Sequence, residues 1–442
     1  MASEYPQVSI GDLVDRGHAR LQTGPFGSQL HKHDYTVEGI PVIPTEGIGR
    51  GRIVADAALP LISETKAGEL SRHRLMLGDI LFARRGIQAT GLSAIVDQGH
   101  VGSICGTGAL LLRVDPAAVD PKFLAAYLST AEAFDWLRSN AVGAVMPNLN
   151  TSIISRLRVP MPPMGVQAAV GQFIACLDDR IDLLRQINAT LEAIAKALFK
   201  SWFVDFEPVR AKAEGREPEG MDAATAALFP SEFEESELGL IPRGWHRGPL
   251  GDLCRNIRQQ AKPDSLDPTT PYIGLEHMPR GSIALTEAGS ASGLASGKFW
   301  YAKNDVLFGK LRPYFHKVGV ASHTGVCSTD ILVVRANEPD WFGFTAMQLS
   351  SDGIIAYATR LSNGAKMPRS SWSDIAAYKV VIPPETVARS FDGLVRAIIE
   401  RIHANIDRAT NLACLRDTLL PRLISGKLRL SEAERSIEDA AA

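Results

Sequence analysis

Two long helical stretches with the same apolar pattern constrain this chain more than any other feature. In the first, 165–203, apolar residues recur at alternating intervals of four and three. That spacing is typical of a helix packed lengthwise against a partner helix. Such a helix would be about 55 Å long at ~1.5 Å per residue, which suits a spacer better than one compact domain. We predict a seam formed by Ile174, Leu177, Ile181, Leu184, Asn188, Leu191, Leu198 and Trp202.

The second stretch, 385–426, repeats this pattern 221 positions later. Asn405 and Arg416 interrupt its seam, whereas Asn188 is a polar member of the first seam, where a buried amide can fix the register. Two helices of matched length pair most simply as an antiparallel coiled coil, and two unrelated core helices are the alternative. The seam residues predicted in the second helix are Val395, Ile398, Ile402, Leu412, Leu419 and Leu423.

The stretches that precede the two helices also repeat. Residues 78–82 are echoed by 304–308, and 143–147 by 364–368. Short apolar runs bounded by Gly, Pro or Asp predict strands, and a longer run opened by an Asp predicts a helix. In the first copy these elements are strands at 40–43, 79–82, 92–96 and 109–112 and a helix over 121–140. The prediction is an α+β fold: two globular mixed α/β modules separated by two long antiparallel coiled-coil helices, as a pseudo-two-fold tandem repeat.

This repeat predicts six segments along the 442 residues. The linker, residues 204–242, is predicted to be irregular apart from a short helix near 223–229, and it carries about 10 acids against 3 bases. The second module has about 16 bases against 11 acids, so an acidic linker conceals a basic module. The segments are a first module 1–163, a spacer helix 164–203, a linker 204–242, a second module 243–384, a second spacer helix 385–426 and a tail 427–442.

Composition narrows the class of protein. Apolar residues make up 45% and charged residues 22% of the chain, as in a soluble globular protein. No apolar run reaches the ~18–20 residues of a membrane span, and no signal peptide is evident. The five cysteines lack C-x-x-C spacing, so neither a disulfide framework nor a zinc site is indicated. We expect a cytoplasmic protein with no membrane association.

Signatures of catalysis are missing from the sequence. There is no G-x-x-x-x-G-K-[ST] loop, no G-x-G-x-x-G opening a helix and no Asn-Pro-Pro or Asp-Pro-Pro tripeptide. His31 and His33 lie two apart in a loop, where a polar surface pair is the expectation rather than a metal site. Asp79 and Asp305 are interpreted as caps of a turn before a strand rather than as acids. The chain is therefore predicted to be non-catalytic, with no metal or cofactor of its own.

Basic residues on matching loops predict nucleic-acid binding. Arg84 and Arg85 follow a buried strand of the first module, and Lys310 and Arg312 follow the equivalent strand of the second. Arginines on loops held by a rigid strand can reach phosphates and guanine edges. A solvated basic loop is the plainer interpretation, but recurrence in two modules favours function. The candidate DNA-binding residues are Gln22, Ser28, Lys32, Arg84, Arg85, Asn148, Asn150, Arg258, Lys310, Arg312, Tyr314, Lys317, Lys366 and Arg369.

Several blocks of the sequence resemble one family. Residues 24–28 with 39–43 resemble the opening of a target recognition domain, as does 240–245 running into 250–252. The block 305–314 is similar to another part of the same family. A central conserved region is resembled by 188–206, and a distal one by 420–428. Over nearly the whole chain the sequence thus resembles the specificity subunit of type I restriction–modification enzymes, although the Ile-Pro-x-Gly-Trp entry of the second module is absent from the first.

The resemblance carries its own expectations. Each module would be a target recognition domain that reads one half of a bipartite, asymmetric site in double-stranded DNA. The helices would fix the gap between the halves. Two methyltransferase subunits and motor–nuclease subunits would bind the chain, and S-adenosylmethionine, ATP and Mg²⁺ would act through those partners. A stand-alone two-headed DNA-binding regulator or scaffold is the alternative, and an enzyme in its own right is a second.

Overall fold

The computed structural model describes residues 4–54, 59–143, 146–237, 239–362 and 368–433. The chain divides into two compact units. The first unit comprises Met1–Ile181 and Asn411–Ala442, and the second comprises Asp182–Thr410. Both borders fall inside long helices, so each of these helices contributes one part to each unit.

The first unit combines short strands with short helices. Its strands are β1 (Gln7–Ser9), β2 (Ala19–Thr23), β3 (Tyr35–Thr36), β4 (Ile40–Ile43), β5 (Gly51–Arg52), β6 (Leu61–Ile62), β7 (Ile80–Ala83), β8 (Ser93–Ile95), β9 (Ile104–Cys105), β10 (Ala109–Val114) and β11 (Arg158–Pro160). Its helices are α1 (Ile10–Asp15), α2 (Glu64–Glu69), α3 (Pro121–Leu128), α4 (Ala131–Asn140) and α5 (Thr151–Arg156), followed by the long helix α6 (Met164–Phe203). The four strands predicted in the first module are confirmed.

The helix predicted over 121–140 is wrong in one respect, because two helices occupy this stretch. The helix α3 ends at Leu128, and Thr130 starts α4 by accepting a hydrogen bond from the amide of Ala133. The Thr130 hydroxyl also donates to the carbonyl of Tyr127. Threonine competes for local backbone groups in this way and favours helix starts over helix interiors. The apolar pattern on either side concealed the break.

Among the described residues, the second unit holds the end of α6, thirteen strands and six further helices. Its strands are β12 (Phe233–Ser236), β13 (Gly239–Pro242), β14 (His246–Pro249), β15 (Cys254–Asn256), β16 (Gln260–Ala261), β17 (Pro271–Ile273), β18 (Gly289–Ser290), β19 (Lys298–Tyr301), β20 (Val306–Gly309), β21 (Val318–Val320), β22 (Gly325–Cys327), β23 (Ile331–Ala336) and β24 (Lys379–Ile382). Its helices are α7 (Glu207–Ala213), α8 (Ala223–Ala227), α9 (Phe342–Leu349), α10 (Asp352–Ser362), α11 (Trp372–Ala376) and α12 (Glu385–Ser425), the last of which ends in the first unit.

Sheet order confirms the tandem repeat. In the first unit one sheet runs β2-β10-β7-β8-β5, and in the second unit the corresponding sheet runs β15-β23-β20-β21. A parallel pair recurs as well, β4 with β9 and β17 with β22. Each module is closed by an antiparallel pair of its first and last strands, β1 with β11 and β14 with β24. The predicted α+β fold is confirmed.

The segment 204–242 is more ordered than predicted. It contains α7, α8 and the antiparallel pair β12 and β13 rather than an irregular linker. Phe206, Val209 and Phe229 are buried in the core of the second unit, and the Phe229 ring meets Trp202 edge-on at 5.0 Å. Acidic composition misled the prediction, because a few apolar residues of the segment are enough to pack it against the core.

The long helices run antiparallel within each unit. In the second unit the Asn405 amide donates to the Asn188 side-chain oxygen at 2.8 Å, and Asn188 donates to the carbonyl of Ile402. In the first unit Arg416 pairs with Asp178 at 2.5 Å. The two interruptions of the second seam are thus matched polar pairs. Among the described residues, no helix is long and apolar enough to cross a membrane.

Most predicted seam residues are buried, and the others are half-buried. Beside the seam, Ile406 lies in the core of the second unit, whereas Ile194 keeps 45% of its surface exposed. The buried seam residues are Ile174, Leu177, Ile181, Leu184, Asn188, Trp202, Val395, Ile402, Leu419 and Leu423. The half-buried ones are Leu191, Leu198, Ile398 and Leu412.

Candidate nucleic-acid interface

A buried aspartate supports the strand that leads to each basic loop. Asp79 accepts two hydrogen bonds from the Arg113 guanidinium, at 2.7 and 2.6 Å, and one from the backbone amide of Met76. Asp305 does the same with Arg335, at 2.6 and 2.8 Å, and with the amide of Ala302. These contacts confirm turn caps rather than catalytic acids. The bidentate arginine, which adds geometric specificity, was not foreseen.

In the first module the predicted residues Arg84, Arg85 and Asn148 lie together. Arg84 Nε donates to the Asn148 side-chain oxygen at 3.0 Å, and the amide of Leu149 donates to the Arg84 carbonyl. A β-bridge joins Arg85 to Asn148. Arg84 is half-buried and Arg85 is exposed, so Arg85 is the freer of the two guanidinium groups.

In the second module Lys310, Arg312 and Arg369 meet in the same way. The amide of Ser370 donates to the Lys310 carbonyl, and the amide of Arg312 donates to the Pro368 carbonyl. Arg369 makes an ion pair with Asp330 at 3.3 Å. The basic loop therefore rests against the segment before α11, as the loop of the first module rests against the segment before α5.

Left-handed backbone marks both ends of the loop after β20. Arg312 has φ 52° and His316 has φ 50°, and Pro313–Phe315 form a short 3-10 helix between them. A non-glycine residue in this region costs about 1 kcal/mol or more. The surrounding contacts must hold the loop in this conformation. Tyr314 at its tip stays 50% exposed, with its ring 4.7 Å from that of Phe315.

Arg280 lies beside these residues, although it was not among the predicted candidates. Its guanidinium carbon lies 4.1 Å from the centre of the Phe315 ring, and that of Arg312 lies 6.0 Å from the same centre. Arg280 is matched by Arg50 of the first module, because 41–53 aligns with 271–283. This recurring Arg-Gly pair was the signal that could have identified Arg280.

Two of the candidate residues are engaged inside the protein. Lys317 donates to the carbonyl of Leu275 at 2.5 Å, and burial, followed by the nearby Arg280 charge, lowers the pKa of its amine. The Asn150 side-chain oxygen caps α5 by accepting from the amide of Ile153 at 2.8 Å. Both residues were predicted to bind DNA. In the structure the half-buried Lys317 is held by a backbone carbonyl, and Asn150 is a helix cap, as Ser371 is for α11.

The other candidates are spread more widely. Gln22 donates to the carbonyl of Arg72 at 2.7 Å and is half-buried, whereas Ser28, Lys32 and Arg258 are exposed. Lys366 lies outside the described residues. The structure therefore joins the loop residues into two clusters, one in each module, and leaves these four outside them.

Among the described residues, one group of side chains could gather around a metal ion. The ligand atoms of His31, His33 and Asp34 lie within 4.8 Å of one another. The Asp34 carboxylate also accepts from the His31 amide at 2.6 Å and lies 3.7 Å from the Lys66 ammonium. The Asp34 carboxylate therefore already has a backbone donor and a cationic neighbour, and both histidines are exposed. The interface as a whole offers cationic and hydrogen-bonding groups, which suit binding rather than bond-breaking chemistry.

Comparison with known proteins agrees with this chemistry. Residues 9–193 match a family model described as the type I restriction modification DNA specificity domain. The chain is 26% identical over 408 residues to the type I restriction enzyme HindI specificity subunit of Haemophilus influenzae, covering 81% of this chain and 88% of that one. It is 24% identical over 329 residues to the MjaIX specificity subunit of Methanocaldococcus jannaschii, covering 70% of each.

A solved structure shares the fold. The crystal structure of the type I restriction–modification S subunit from M. genitalium matches with a TM-score of 0.54 over 95% of this chain and 96% of that one, at 15% identity. This likeness supports the architecture of two modules and long helices. The resemblance noted in the sequence is confirmed, and no catalytic role is needed for such a subunit. In sequence and in fold, the chain is thus similar to the specificity subunits of type I restriction–modification enzymes.

Proposed function

We propose that this subunit recognises a DNA site in two parts, one part for each module. The carrying observation is that the same basic loop, after the same strand and against the same segment, is built twice from different residues. Arg84, Arg85 and Asn148 serve in the first module, and Lys310, Arg312 and Arg369 in the second. Because the side chains differ, the two half-sites differ, and the complete site is asymmetric.

The boundaries of the proposed reading domains follow the repeat. Residues 1–163 and 243–384 are the target recognition domains, and 164–203 and 385–426 are the helices that set the gap between half-sites. Helices of 40 and 41 residues support this assignment. At ~1.5 Å per residue such a helix matches one to two turns of DNA, at ~34–36 Å per turn.

We further propose that methyltransferase subunits bind along the long helices and that motor–nuclease subunits join them. Part of the outer surface of the helices in the second unit is apolar, since Leu183, Ile194 and Leu394 are each 45% exposed. S-adenosylmethionine, ATP and Mg²⁺ would act in those partners. A stand-alone DNA-binding regulator is the second candidate, and it leaves these exposed apolar side chains unexplained.

Single-molecule methylome sequencing of a host with and without this gene tests the proposal. We expect a methylated-adenine motif in two parts with a fixed gap, lost with the gene. A motif that is continuous, or one that persists without the gene, would contradict a two-part reader. If no methylation changes, capture of the chain with its neighbours decides between a silent complex and a stand-alone regulator.

The spacer proposal has its own test. Insertion of four residues within 182–191 lengthens α6 by about 6 Å, roughly one helical turn. We expect the gap of the methylated motif to grow while both half-sites keep their sequence. A matched control inserts four residues in the exposed turn at 215–220. An unchanged gap in the helix variant would show that α6 is not the spacer.

A further inference from the structure

Arg280 and the loop after β20 form one cationic surface in the second module. The guanidinium of Arg280 lies over the Phe315 ring at 4.1 Å, a distance at which a cation is attracted to the face of the ring. Arg312 approaches the same ring at 6.0 Å. Within the described part of the chain, neither arginine makes an ion pair with a carboxylate, so both charges are available to a ligand.

The local field is positive at this place. Besides burial, the charge that most lowers the pKa of Lys317 is that of Arg280. Glu276 acts in the opposite direction, with a smaller effect. Like charges held close together are unfavourable unless an anion joins them. An anion at Arg280 and Arg312 would relieve this repulsion, and the planar guanidinium suits the oxygens of a phosphate.

The segment that carries Arg280 is fastened to the long helix α6. Lys196 donates from its amine to the carbonyl of Gly281 at 2.7 Å, and the Ser282 hydroxyl donates to Glu192 at 2.7 Å. Glu192 is buried and is paired with Lys196. Two side chains of the spacer helix therefore fix the residues that follow Arg280.

The same segment is fastened to the basic loop. The amide of Gly281 donates to the carbonyl of His316 at 2.8 Å, next to the left-handed positions of that loop. The contacts run without a break from Glu192 and Lys196 through 281–282 to 312–316. Such fastening lowers the ordering cost of binding, because both arginines are placed before a ligand arrives.

We propose that Arg280 and Arg312, arranged around Phe315, bind a backbone phosphate of the second DNA half-site. The ligand is a phosphodiester of duplex DNA, so the site positions the strand and reads no base. Tyr314 and Lys310 remain for contact with base edges. This inference rests on the proposed function, since it places one contact of the second module on DNA.

In the first module Arg50, the counterpart of Arg280, lies 5.9 Å from the centre of the Phe134 ring and donates from Nε to the carbonyl of Ser129. The helix positions 221 residues after Glu192 and Lys196 are Ala413 and Asp417, which cannot make the same contacts. Among the described residues, the fastening of this segment by Glu192 and Lys196 is therefore a property of the second module.

Salt-dependent binding by the chain in complex with its methyltransferase partners tests the site. The DNA is the target found by methylome sequencing, and the variant is Arg280→Ala. Loss of one phosphate contact reduces the slope of log K against log salt by about 0.9 in magnitude. We expect that reduction, several-fold weaker binding, and no change in which bases are preferred at the second half-site.

Lys303→Ala is the matched control, because it removes one positive charge at the opposite end of β20 from the loop. Arg280→Lys keeps the charge without the planar stacking group, and we expect it to keep the slope while binding more weakly. Arg280→Lys also tests the phosphate site if the complex that contains Arg280→Ala fails to assemble. If Arg280→Ala matches Lys303→Ala, the phosphate site is wrong. If the wild-type complex binds no DNA, the proposed function itself falls.

Discussion

The two basic loops share a supporting frame, which is a central strand held by a buried aspartate. They differ in the residues at equivalent loop positions. Each follows a central strand, β7 or β20, and each strand is supported by a buried aspartate with a bidentate arginine. Positive φ occurs three residues after the strand and two residues before the next one in both loops. The first module places Gly86 and Gly91 there, and the second places Arg312 and His316.

That difference shows where the second module accepts backbone strain. Glycine adopts positive φ without steric cost, whereas arginine and histidine do not. A strained residue persists only where its surroundings hold it, and here Arg312 is held beside Phe315 while the carbonyl of His316 accepts from Gly281. The frame is thus common to both modules, and side chains at equivalent loop positions distinguish them.

Removal of the buried aspartate breaks the frame and should have the largest effect. Asp79→Ala and Asp305→Ala each lose three hydrogen bonds, and we expect each to destabilise its own unit by about 2–4 kcal/mol. The lower part of that range allows for the partly exposed arginines. Hydrogen exchange measured on individual peptides reports the loss of stability in each unit, and the exposed Asp264→Ala is the control. Costs that differ by more than ~2 kcal/mol would show that the frames are not equivalent.

Acid should weaken both units through a buried histidine in each. Burial lowers the pKa of His73 and of His403 to about 4 from the ordinary 6.5. Between those values the unfolded chain binds a proton and the folded imidazole does not, so stability falls as pH drops from about 6.5 to 4. The loss is about 2–3 kcal/mol for each site.

Urea unfolding against pH tests this loss. His403→Gln should flatten the pH dependence of the second unit only, and His73→Gln that of the first. The exposed His246→Gln is the control. A profile that is unaltered by both buried substitutions would mean that neither histidine is the source.

Exchange of residues at the positive-φ positions sharpens the comparison of the loops. Gly86→Arg should cost about 1–2 kcal/mol, because its φ of 124° suits glycine and its Cβ would lie 3.3 Å from that of Ala89. Arg312→Gly should change stability by less than ~0.5 kcal/mol, since strain is relieved, yet weaken DNA binding. Thermal unfolding and a binding titration separate the two effects. Equal stability costs would mean that Arg312 is not strained.

The polar pairs between the long helices should give the smallest effect. A double-mutant cycle on Asn188→Ala and Asn405→Ala should show a coupling of about 1 kcal/mol in the second unit. The same cycle on Asp178→Ala and Arg416→Ala measures the pair in the first unit. The exposed Arg401→Ala is the control. No coupling in either cycle would leave apolar packing alone to set the register.

Local periodicity allowed much of the fold to be predicted. The strands at 40–43 and 109–112, the long helices and the repeat follow from apolar spacing and turn residues, which act over a few residues. Asp79 could be interpreted as a turn cap because the Gly-Asp pair before an apolar run is a local pattern. Its bidentate bond to Arg113 could not, because the partner lies 34 residues away.

The candidate site was predicted in part, for a similar reason. Arg84 and Asn148 were found through the repeat, and the structure brings them together. Arg280 was missed although the repeat aligns it with Arg50, because its place over Phe315 depends on contacts with α6 that no spacing reveals. The hydrogen bond of Lys317 could not be predicted either, because its position in the loop does not show that its amine donates to the Leu275 carbonyl.

The division of the chain has a consequence for its synthesis. The second unit is one continuous segment, 182–410, whereas the first needs both 1–181 and 411–442. The backbone amide of Glu4 donates to the carbonyl of Ser425. The N-terminal residues can therefore form this contact only after Ser425 has been synthesised. A ribosome that makes the chain in order therefore delivers a complete second unit first. A chain that terminates near residue 410 lacks the end of α12, which its N-terminal residues contact. Premature termination there therefore disrupts the first module, although that module is synthesised first.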